Sequence, residues 1–473
     1  MPSVTEPRKD EPEALVPLII GAALLMQAFD AQAMTTILPA AAESLRVSPL
    51  ELNLAIASYY VGAAAFLPVS GWLADRYGAR SVFQASIAAF VLCSVLCAFA
   101  QAPWQFAVVR TAMGAATAGI MPIGRLLLLR TTPRADLVRR LTFLTIPGTV
   151  GPLISPVVAG ALATYASWRW AFWLNVPIGL VGFLLVSRFV PNLKEDAPGR
   201  LDRRGAILAA FGLAAGVFVL ERVGREGRVG MLEAVLGAFA LLSVLAYALH
   251  ARFTPKPILD FTLVRIVTFR AGVLGGFFFR LSIGCQPFLM ALLFQVGLGM
   301  SAFISGALIA LTAIGTLLMR WFAPLFVRAL GFRKLLIANG IGCALLGLVP
   351  ALFQFGSPAW LIAIVLLAIG FFRALQLTAL NVVTYVDVDA SAMSAASSLA
   401  ATIQQVTQGL SIAFAASIVA AAIGRGENMT AAISLAFAVV GLIGLGSLFD
   451  FARVPPGAGA DVSGERAKPA SEG

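Results

Sequence analysis

Residues 71–80 read GWLADRYGAR and begin in the last four residues of the apolar stretch Leu52–Ala74. That stretch is long enough to cross a bilayer, since a spanning helix needs about 20 apolar residues. Glycines at both ends of the decapeptide allow helix ends to approach closely, while Asp75 and Arg76 offer charges of both signs to neighbouring groups. The pattern indicates a short polar connection between two spanning helices. It serves either as a loop that only maintains topology or as a contact that locks one face of the molecule in one conformation.

The composition around this connection is that of an integral membrane protein. Of the 473 residues, 59% are hydrophobic and 12% are charged, whereas soluble domains carry about 25% charged residues. The net charge of +11 does not indicate nucleic acid, because the cytoplasmic loops of membrane proteins collect lysine and arginine. The chain shows no phosphate-binding loop, metal cluster or nucleophile–base pair. We therefore expect no enzyme activity, no cofactor and no metal.

Fourteen apolar stretches of membrane-spanning length follow one another along the chain. With both termini on the cytoplasmic side, 24 of the 34 lysines and arginines fall in inner loops and tails, six in outer loops and four within spans. This asymmetry predicts the orientation by the positive-inside rule. It also favours a bacterial-type inner membrane. The expected partners are the lipid bilayer, protons and a small-molecule substrate, and we expect a monomer.

The polar stretches divide the chain into a first group of six spans, two additional spans and a second group of six. Val327–Lys334, after the tenth span, is a degenerate echo of residues 71–80, as expected of repeated bundles that rock about a central site. The predicted organisation is listed here by residue: N-terminal tail 1–13, first six-helix bundle 14–190, cytoplasmic linker 191–204, two additional helices 205–250, second six-helix bundle 251–454 and C-terminal tail 455–473.

Asp30 lies near the middle of the first stretch and is the only carboxylate near the centre of any of the fourteen. A charge at the centre of a span costs about 2.5–3.5 kcal/mol on insertion scales, so it points to a functional site. Burial disfavours the charged form of a carboxylate, and an acid that is neutral or charged according to its access to water can carry a proton. The alternative is a structural aspartate that hydrogen-bonds to neighbouring helices.

Four arginines also lie within spans. Arg110 is about five residues into the fourth stretch, where a permanent guanidinium either finds a partner or extends to the interface. Arg125 is expected to extend to the inner interface. Arg280, ten residues into the ninth stretch, and Arg373 have few acids available within the spans, and Arg280 is our candidate for lining a cavity.

Residues 71–80 resemble the loop signature of the major facilitator superfamily, G-x-L-a-D-r-x-G-r-[KR]. A second run, SWRWAFWLNVPIG at residues 167–179, is similar to S-W-R-W-I-F-x-I-N-x-P-I-G of the fourteen-span drug/proton antiporter branch. The resemblance covers about residues 14 to 453. It implies an all-α polytopic membrane protein with the major facilitator fold, built from 14 transmembrane helices (6+2+6) in two pseudo-symmetric six-helix bundles.

The resemblance also implies residue roles. It assigns proton coupling to Asp30 and Arg110. The run usually following the aspartate, T-T-I-V-N, is AQAMT at residues 31–35 here, so we expect different substrate contacts. Conformational gating falls to the loop signature and to the glycine- and proline-rich fifth span, namely to Gly71, Asp75, Arg76, Gly78, Arg80, Gly148, Gly151, Pro152 and Gly160.

Polar side chains within the spans are candidates for binding substrate, although hydrogen bonding between helices explains any single one of them equally well. Gln404 and Gln408 are one helical turn apart and share a face. The full set of candidates is Gln27, Tyr59, Arg280, Gln286, Gln404 and Gln408.

These observations favour a proton-driven exporter of amphiphilic small molecules. With one acid at mid-membrane, one proton exchanged for one monovalent cation is electroneutral, so we expect monocations to be exported and dications to be poor substrates. A transporter of a specific and anionic metabolite that uses Arg280 is the alternative. A sensor that reuses the fold without transport is a more remote one.

Overall fold

The structure is a computed structural model that describes residues 15–131, 137–192, 201–226, 230–254, 259–354, 356–389 and 392–456. Every secondary-structure element in these ranges is helical. The predicted N-terminal tail, most of the C-terminal tail and most of the 191–204 linker lie outside the described residues. The predicted all-α class is confirmed.

Six long helices make up the first half of the chain. They are α1 (Leu15–Ser44), α2 (Leu54–Tyr77), α3 (Ala79–Phe99), α4 (Pro103–Thr131), α5 (Leu137–Tyr165) and α6 (Asn175–Phe189). Within this half, α2 packs against α4 and α1 packs against α5. The apolar faces that meet there form a core of buried aliphatic and aromatic side chains.

The second half contains two further helices and then a second group. They are α7 (Arg203–Glu226), α8 (Met231–Phe253), the interrupted α9 (Val267–Gly297), Ala302–Leu348, α12 (Ala359–Tyr385), α13 (Met393–Gly424) and α14 (Met429–Gly444). Ala302–Leu348 bends at Gly331, where the backbone leaves the helical region. We call the part before Gly331 α10 and the part after it α11.

Twelve helical segments within the described ranges are long and apolar enough to cross a membrane. The two predicted spans that do not meet this criterion are α7 and α5, of which α5 contains a shorter apolar helix, Val150–Tyr165. The fourteen-span count therefore stays a prediction. We call the face that carries residues 45–53 and 298–301 the predicted outer face.

Close pairs of glycines join corresponding helices in the two halves. A Cβ atom on Gly62 of α2 would lie 2.0 Å from the carbonyl oxygen of Thr111, and one on Gly114 of α4 would lie 1.9 Å from that of Tyr59. Small residues allow helix backbones in membranes to approach this closely. The two helices therefore touch backbone to backbone.

The same arrangement recurs in the second half, between α10 and α12. A Cβ atom on Gly315 of α10 would lie 2.1 Å from the carbonyl oxygen of Leu367, and one on Gly370 of α12 would lie 1.9 Å from that of Thr312. The loop signature and its echo match as well, since Gly78 (φ +96°) and Gly331 (φ +66°) both adopt a backbone conformation that favours glycine. The helix packing thus repeats more clearly than the sequence does.

Helices α7 and α8 form a hairpin beside the two groups. Near the predicted inner ends, His250 Nε2 lies 2.7 Å from Asp202 Oδ1, and near the outer ends Arg222 Nε donates to Glu233 Oε1 at 2.8 Å. His250 is thus held by a carboxylate rather than extending freely to the interface. Helix α7 contacts both α2 and α13, so the hairpin packs against both halves of the chain.

Helix α9 is irregular where its sequence is richest in glycine. Two π-helical turns, Ala271–Gly275 and Leu293–Gly297, flank its α-helical segments. A π-helical turn widens the hydrogen-bonding ladder and is frequent at functional sites. The first of these turns lies one helical turn before Arg280.

Gly114→Ala is expected to destabilise the protein by about 1–3 kcal/mol, because the added methyl group overpacks the backbone contact with α2. The thermal unfolding temperature of the purified protein in detergent measures this effect. Gly182→Ala is the matched control, since a Cβ atom there meets nothing within 4 Å. An unfolding temperature equal to that of Gly182→Ala would contradict the close packing of α2 on α4.

Candidate functional site

A buried ion pair joins α1 to α4. Asp30 stands near the middle of α1 and is 3% exposed, and Arg110 is completely buried on α4. The guanidinium Nη1 donates to Asp30 Oδ2 at 2.6 Å. The structure therefore brings the two predicted coupling residues together, and Arg110 does not extend to the interface.

The rest of the Arg110 guanidinium faces aromatic and soft groups. Its Cζ lies 4.5 Å from the centroid of the Tyr59 ring, and Nη1 also lies 3.3 Å from the sulfur of Met113. The Tyr59 hydroxyl is 3.0 Å from the hydroxyl of Thr117 on α4. Within the described part of the chain, Arg110 Nε and Nη2 have no hydrogen-bond partner. The cation is thus stabilised by one carboxylate and one ring face.

The glycine contact between α2 and α4 places this ring over the cation. Gly114 follows Arg110 by one helical turn, and its contact is with the backbone of Tyr59. A larger residue at Gly114 would move α2 outwards and the ring with it. The site thus requires the charge of Arg110, the ring of Tyr59 and a glycine at position 114.

The two charges compensate each other only while both groups are ionised. Removing one partner of a buried ion pair costs about 3–5 kcal/mol, because the remaining charge is left uncompensated. Protonation of Asp30 has the same electrostatic consequence for Arg110, which would then keep only the Tyr59 ring. The packing of α1 on α4 thus includes a charge pair whose loss would be costly.

The glycine- and proline-rich helix α5 packs against α1 beside Asp30. The Ser155 hydroxyl donates to the carbonyl oxygen of Phe29 at 2.6 Å, and a Cβ atom on Gly151 would lie 2.8 Å from the Cβ of Ala28. Gly148 and Pro152 lie in the same helix. A shift of α1 at Asp30 therefore acts directly on α5.

Helix α5 also connects the two halves of the chain near the predicted outer face. A Cβ atom on Gly160 of α5 would lie 2.3 Å from the carbonyl oxygen of Ala302, and one on Gly306 of α10 would lie 1.9 Å from that of Pro156. These reciprocal contacts bring α5 and α10 together without intervening side chains. The halves are closed against each other at this face.

Hydrogen bonds reinforce the closed face. The backbone N–H of Phe303 donates to Thr164 Oγ1 at 3.0 Å, and Gln295 Nε2 donates to the carbonyl oxygen of Thr36 at 2.9 Å. The second bond joins α9 to α1 between Asp30 and the predicted outer face. Sequence reasoning missed Gln295 and Thr36 because neither lies in a recognisable motif.

The loop signature holds the predicted inner end of the first half together. Gly78 lies directly against the side chain of Asn192, whose Nδ2 donates to Ser81 Oγ at 3.0 Å. Arg80 Nε lies 3.4 Å from Gln84 Oε1, and Arg76 is exposed. A Cβ atom on Gly71 would meet nothing within 4 Å, and Asp75 is half-buried.

The glutamine candidates for substrate binding do not converge on one place. Gln408 donates to the carbonyl oxygen of Gly284 at 3.1 Å, and Gln286 is buried next to Gly347. The side-chain oxygens of Gln27 and Gln286 are buried without a hydrogen-bond partner among the described residues. Gln404 is exposed.

Arg280 lines a small cavity inside the second group of helices. The cavity measures about 20 Å³ and is lined by residues of α9, α12 and α13. Two of them, Asn381 and Gln404, are exposed. Of the other span arginines, Arg125 is exposed, and Arg373, half-buried like Arg280, lies next to Cys343 and does not line this cavity.

Solved structures share this architecture at low sequence identity. The D-xylose-proton symporter aligns with a TM-score of 0.66 and 15% identity over 93% of this chain and 98% of that chain. An auto-inhibited POT family peptide transporter aligns with a TM-score of 0.66 and 15% identity over 95% of this chain and 96% of that chain. These likenesses concern the fold.

Sequence comparison agrees with the fold. The chain is 33% identical over 397 residues to the "Putative multidrug resistance protein MdtD" of Salmonella heidelberg (strain SL476), covering 84% of each chain. The protein of the same name from Salmonella paratyphi A (strain ATCC 9150 / SARB42) is 32% identical over the same shares. Residues 20–412 match the family model of the Major Facilitator Superfamily. The chain is therefore a membrane transporter that belongs to the Major Facilitator Superfamily.

Proposed function

We propose that the protein is a proton-coupled secondary active transporter that exports amphiphilic, monocationic drugs or toxic compounds by alternating access. The observation that carries this proposal is the buried pair of Asp30 and Arg110 at 2.6 Å. The similar proteins named as multidrug resistance proteins support the substrate class. The proposal includes fourteen spans in a 6+2+6 arrangement, both termini in the cytoplasm, a bacterial inner membrane and a monomeric state.

The proton step follows from the electrostatics of the pair. With Asp30 charged, the pair binds α1 to α4. A proton on Asp30 removes that attraction and leaves a net positive charge beside Tyr59. A cationic substrate and this uncompensated guanidinium repel each other, so protonation favours release of the cation. Loss of the proton restores the pair and the affinity for the next cation.

The conformational step involves the contacts of α5. Ser155 links α5 to α1 one residue before Asp30, and Gly160 and Gly306 seal α5 against α10. A displacement of α1 at Asp30 would therefore reach the outer contacts through one helix. The loop signature, including Asp75, Arg76 and Arg80, is the proposed gate at the opposite face.

The driving force is sufficient for useful export. One charge moving through 100 mV yields about 2.3 kcal/mol, so a proton-motive force of about 150 mV supplies roughly 3.5 kcal/mol for each proton. At about 1.4 kcal/mol per tenfold change, this supports a gradient of a few hundredfold for an uncharged solute, whereas for a monocation exchanged without net charge movement the pH difference alone sets the gradient, about tenfold for each pH unit.

Asp30→Asn is expected to abolish proton-driven efflux of ethidium from energised cells that lack their main pumps, because the amide cannot exchange a proton. Efflux is measured by fluorescence at equal expression, with and without a protonophore. Glu43→Gln is the matched control, since Glu43 is an exposed carboxylate on the same helix. Asp30→Glu keeps the acid and tests whether loss of the charge, rather than misfolding, is responsible. Wild-type rates in Asp30→Asn would contradict the role of Asp30.

Ethidium transport is expected to follow the pH gradient and to ignore voltage, because one proton exchanged for one monocation moves no net charge. Propidium, a dication with the same aromatic ring system, is expected to be a poor substrate. Both are measured in inverted membrane vesicles with the pH gradient and the voltage imposed separately. Rapid, voltage-driven propidium transport would overturn the single-proton scheme.

Gly306→Val is expected to prevent closure of the predicted outer face, because the side chain would meet the carbonyl oxygen of Pro156. A cysteine at Thr36, which is fully buried, should then react faster with a membrane-impermeant maleimide added to whole cells. Gly182→Val is the control, since its added side chain faces open space. Equal labelling rates in the two backgrounds would show that α5 and α10 do not form the outer seal.

A further inference from the structure

The cavity at Arg280 has the features of a built anion site. Arg280 Nη1 donates to the carbonyl oxygen of Gly272 at 3.2 Å, and Nε is buried without a hydrogen-bond partner among the residues described. In the same part of the chain, no carboxylate lies within 4.0 Å of the guanidinium. A half-buried positive charge is thus held in place with one buried donor, Nε, unused.

The backbone of α9 is adapted to this guanidinium. Gly272 lies in the π-helical turn Ala271–Gly275. Gly276 leaves room for the side chain, since a Cβ atom there would lie 2.4 Å from Arg280 Nη1. Because the turn and the glycine hold the guanidinium folded back along its own helix, Arg280 is positioned rather than free to extend towards water.

The surrounding side chains suit an anionic group. Besides Gly272 and Arg280, the cavity is lined by Asn381, Thr384 and Tyr385 of α12 and Gln404 of α13. The side-chain amides of Asn381 and Gln404 can donate hydrogen bonds to an anion, and a guanidinium is a charged donor to carboxylates. The Thr384 hydroxyl is already used, since it donates to the carbonyl oxygen of Leu380 at 2.6 Å. The enclosed volume of about 20 Å³ takes one group of the size of a water molecule, so one carboxylate oxygen would enter beside Arg280 while the rest of the carboxylate lies at the open rim.

Access to the cavity is provided at its rim. Asn381 and Gln404 are both exposed, whereas Thr384 behind them is buried. A ligand can therefore place a small anionic group beside Arg280 while its larger part remains outside the cavity. This geometry selects one end of an amphiphile and not the whole molecule.

We propose that the Arg280 cavity is a subsite for a carboxylate or similar small anionic group. It gives the transporter a preference for amphiphiles that carry a carboxylate in addition to their cationic centre. The proposal rests on the proposed export of amphiphiles, but the subsite itself is independent of proton coupling. The same chemistry would also hold a free inorganic anion such as chloride, and the experiment separates these two sources.

The test is equilibrium binding of two dyes to the full-length protein in lipid nanodiscs. Rhodamine B has a free carboxylate, and its ethyl ester has the same cationic ring system with the carboxylate capped. We expect the wild type to bind the free acid about tenfold or more tightly than the ester, the effect of a charged hydrogen bond. Fluorescence anisotropy measures both affinities without a proton gradient.

Arg280→Gln is expected to bring the affinity ratio of the two dyes close to one, because it weakens binding of the free acid and, by removing a positive charge, does not weaken binding of the cationic ester. Arg373→Gln, in the same group of helices but away from the cavity, is the control and should keep the preference. Arg280→Lys keeps the positive charge but not the planar guanidinium, so it should keep part of the preference. Partial preference in this variant would show that its loss in Arg280→Gln is not due to misfolding. An undiminished preference in Arg280→Gln would overturn the proposal.

Thermal unfolding in chloride and in benzoate, each compared with methanesulfonate, which has no carboxylate, identifies the source of the anion. A rise in unfolding temperature with benzoate that Arg280→Gln abolishes would support the carboxylate subsite. A rise with chloride alone, together with equal affinity of the wild type for the two dyes, would assign the cavity to an inorganic anion and overturn the substrate preference. The absence of both a dye preference and an anion effect in the wild type would overturn the site.

Loss of efflux in Asp30→Asn affects none of these measurements, so failure of the subsite is distinguishable from failure of proton coupling.

Discussion

The pairing of Asp30 with Arg110 is the constraint on which the rest of the structure depends. A carboxylate and a guanidinium without access to water must stay together, or one of them must lose its charge. The chain meets this requirement with an unusually close approach of α2 to α4, since only glycines at Gly62 and Gly114 bring the Tyr59 ring over the cation. Ser155 then connects the pair to α5, and α5 connects it to the other half of the molecule.

The two halves repeat their backbone packing but not their chemistry. The glycine pair of α2 and α4 has its counterpart in α10 and α12, and the turn at Gly78 has its counterpart at Gly331. The first half, however, places an acid against its buried arginine, whereas Arg280 in the second half faces amide and hydroxyl groups. Similar helix packing in the two halves thus surrounds Arg110, which is paired with Asp30, and Arg280, which faces uncharged polar groups.

Much of this architecture could be predicted from the sequence, because apolar runs of about 20 residues and the GWLADRYGAR signature depend on local composition. The superfamily and the helical class are confirmed, and Asp30 and Arg110 do lie together. The bond between Gln295 and Thr36 could not be predicted, because it joins residues far apart in sequence through ordinary side chains. The π-helical turns of α9 were equally hidden, since glycine-rich runs are common in membrane helices. The substrate contacts depend on side-chain direction, which explains why Gln286 and Gln404 fall in different environments.

The hairpin of α7 and α8 has a consequence for the two contacts between the halves of the molecule. Two seams separate the halves of the molecule, one between α5 and α10 and the other between α2 and α13. Helix α7 lies against both α2 and α13 and so covers the second seam from the side. Among the described residues, the contact between α2 and α13 is thus covered by an extra helix, whereas the hairpin makes no comparable contact with α5 or α10. The two contacts between the halves are therefore unlike in their surroundings.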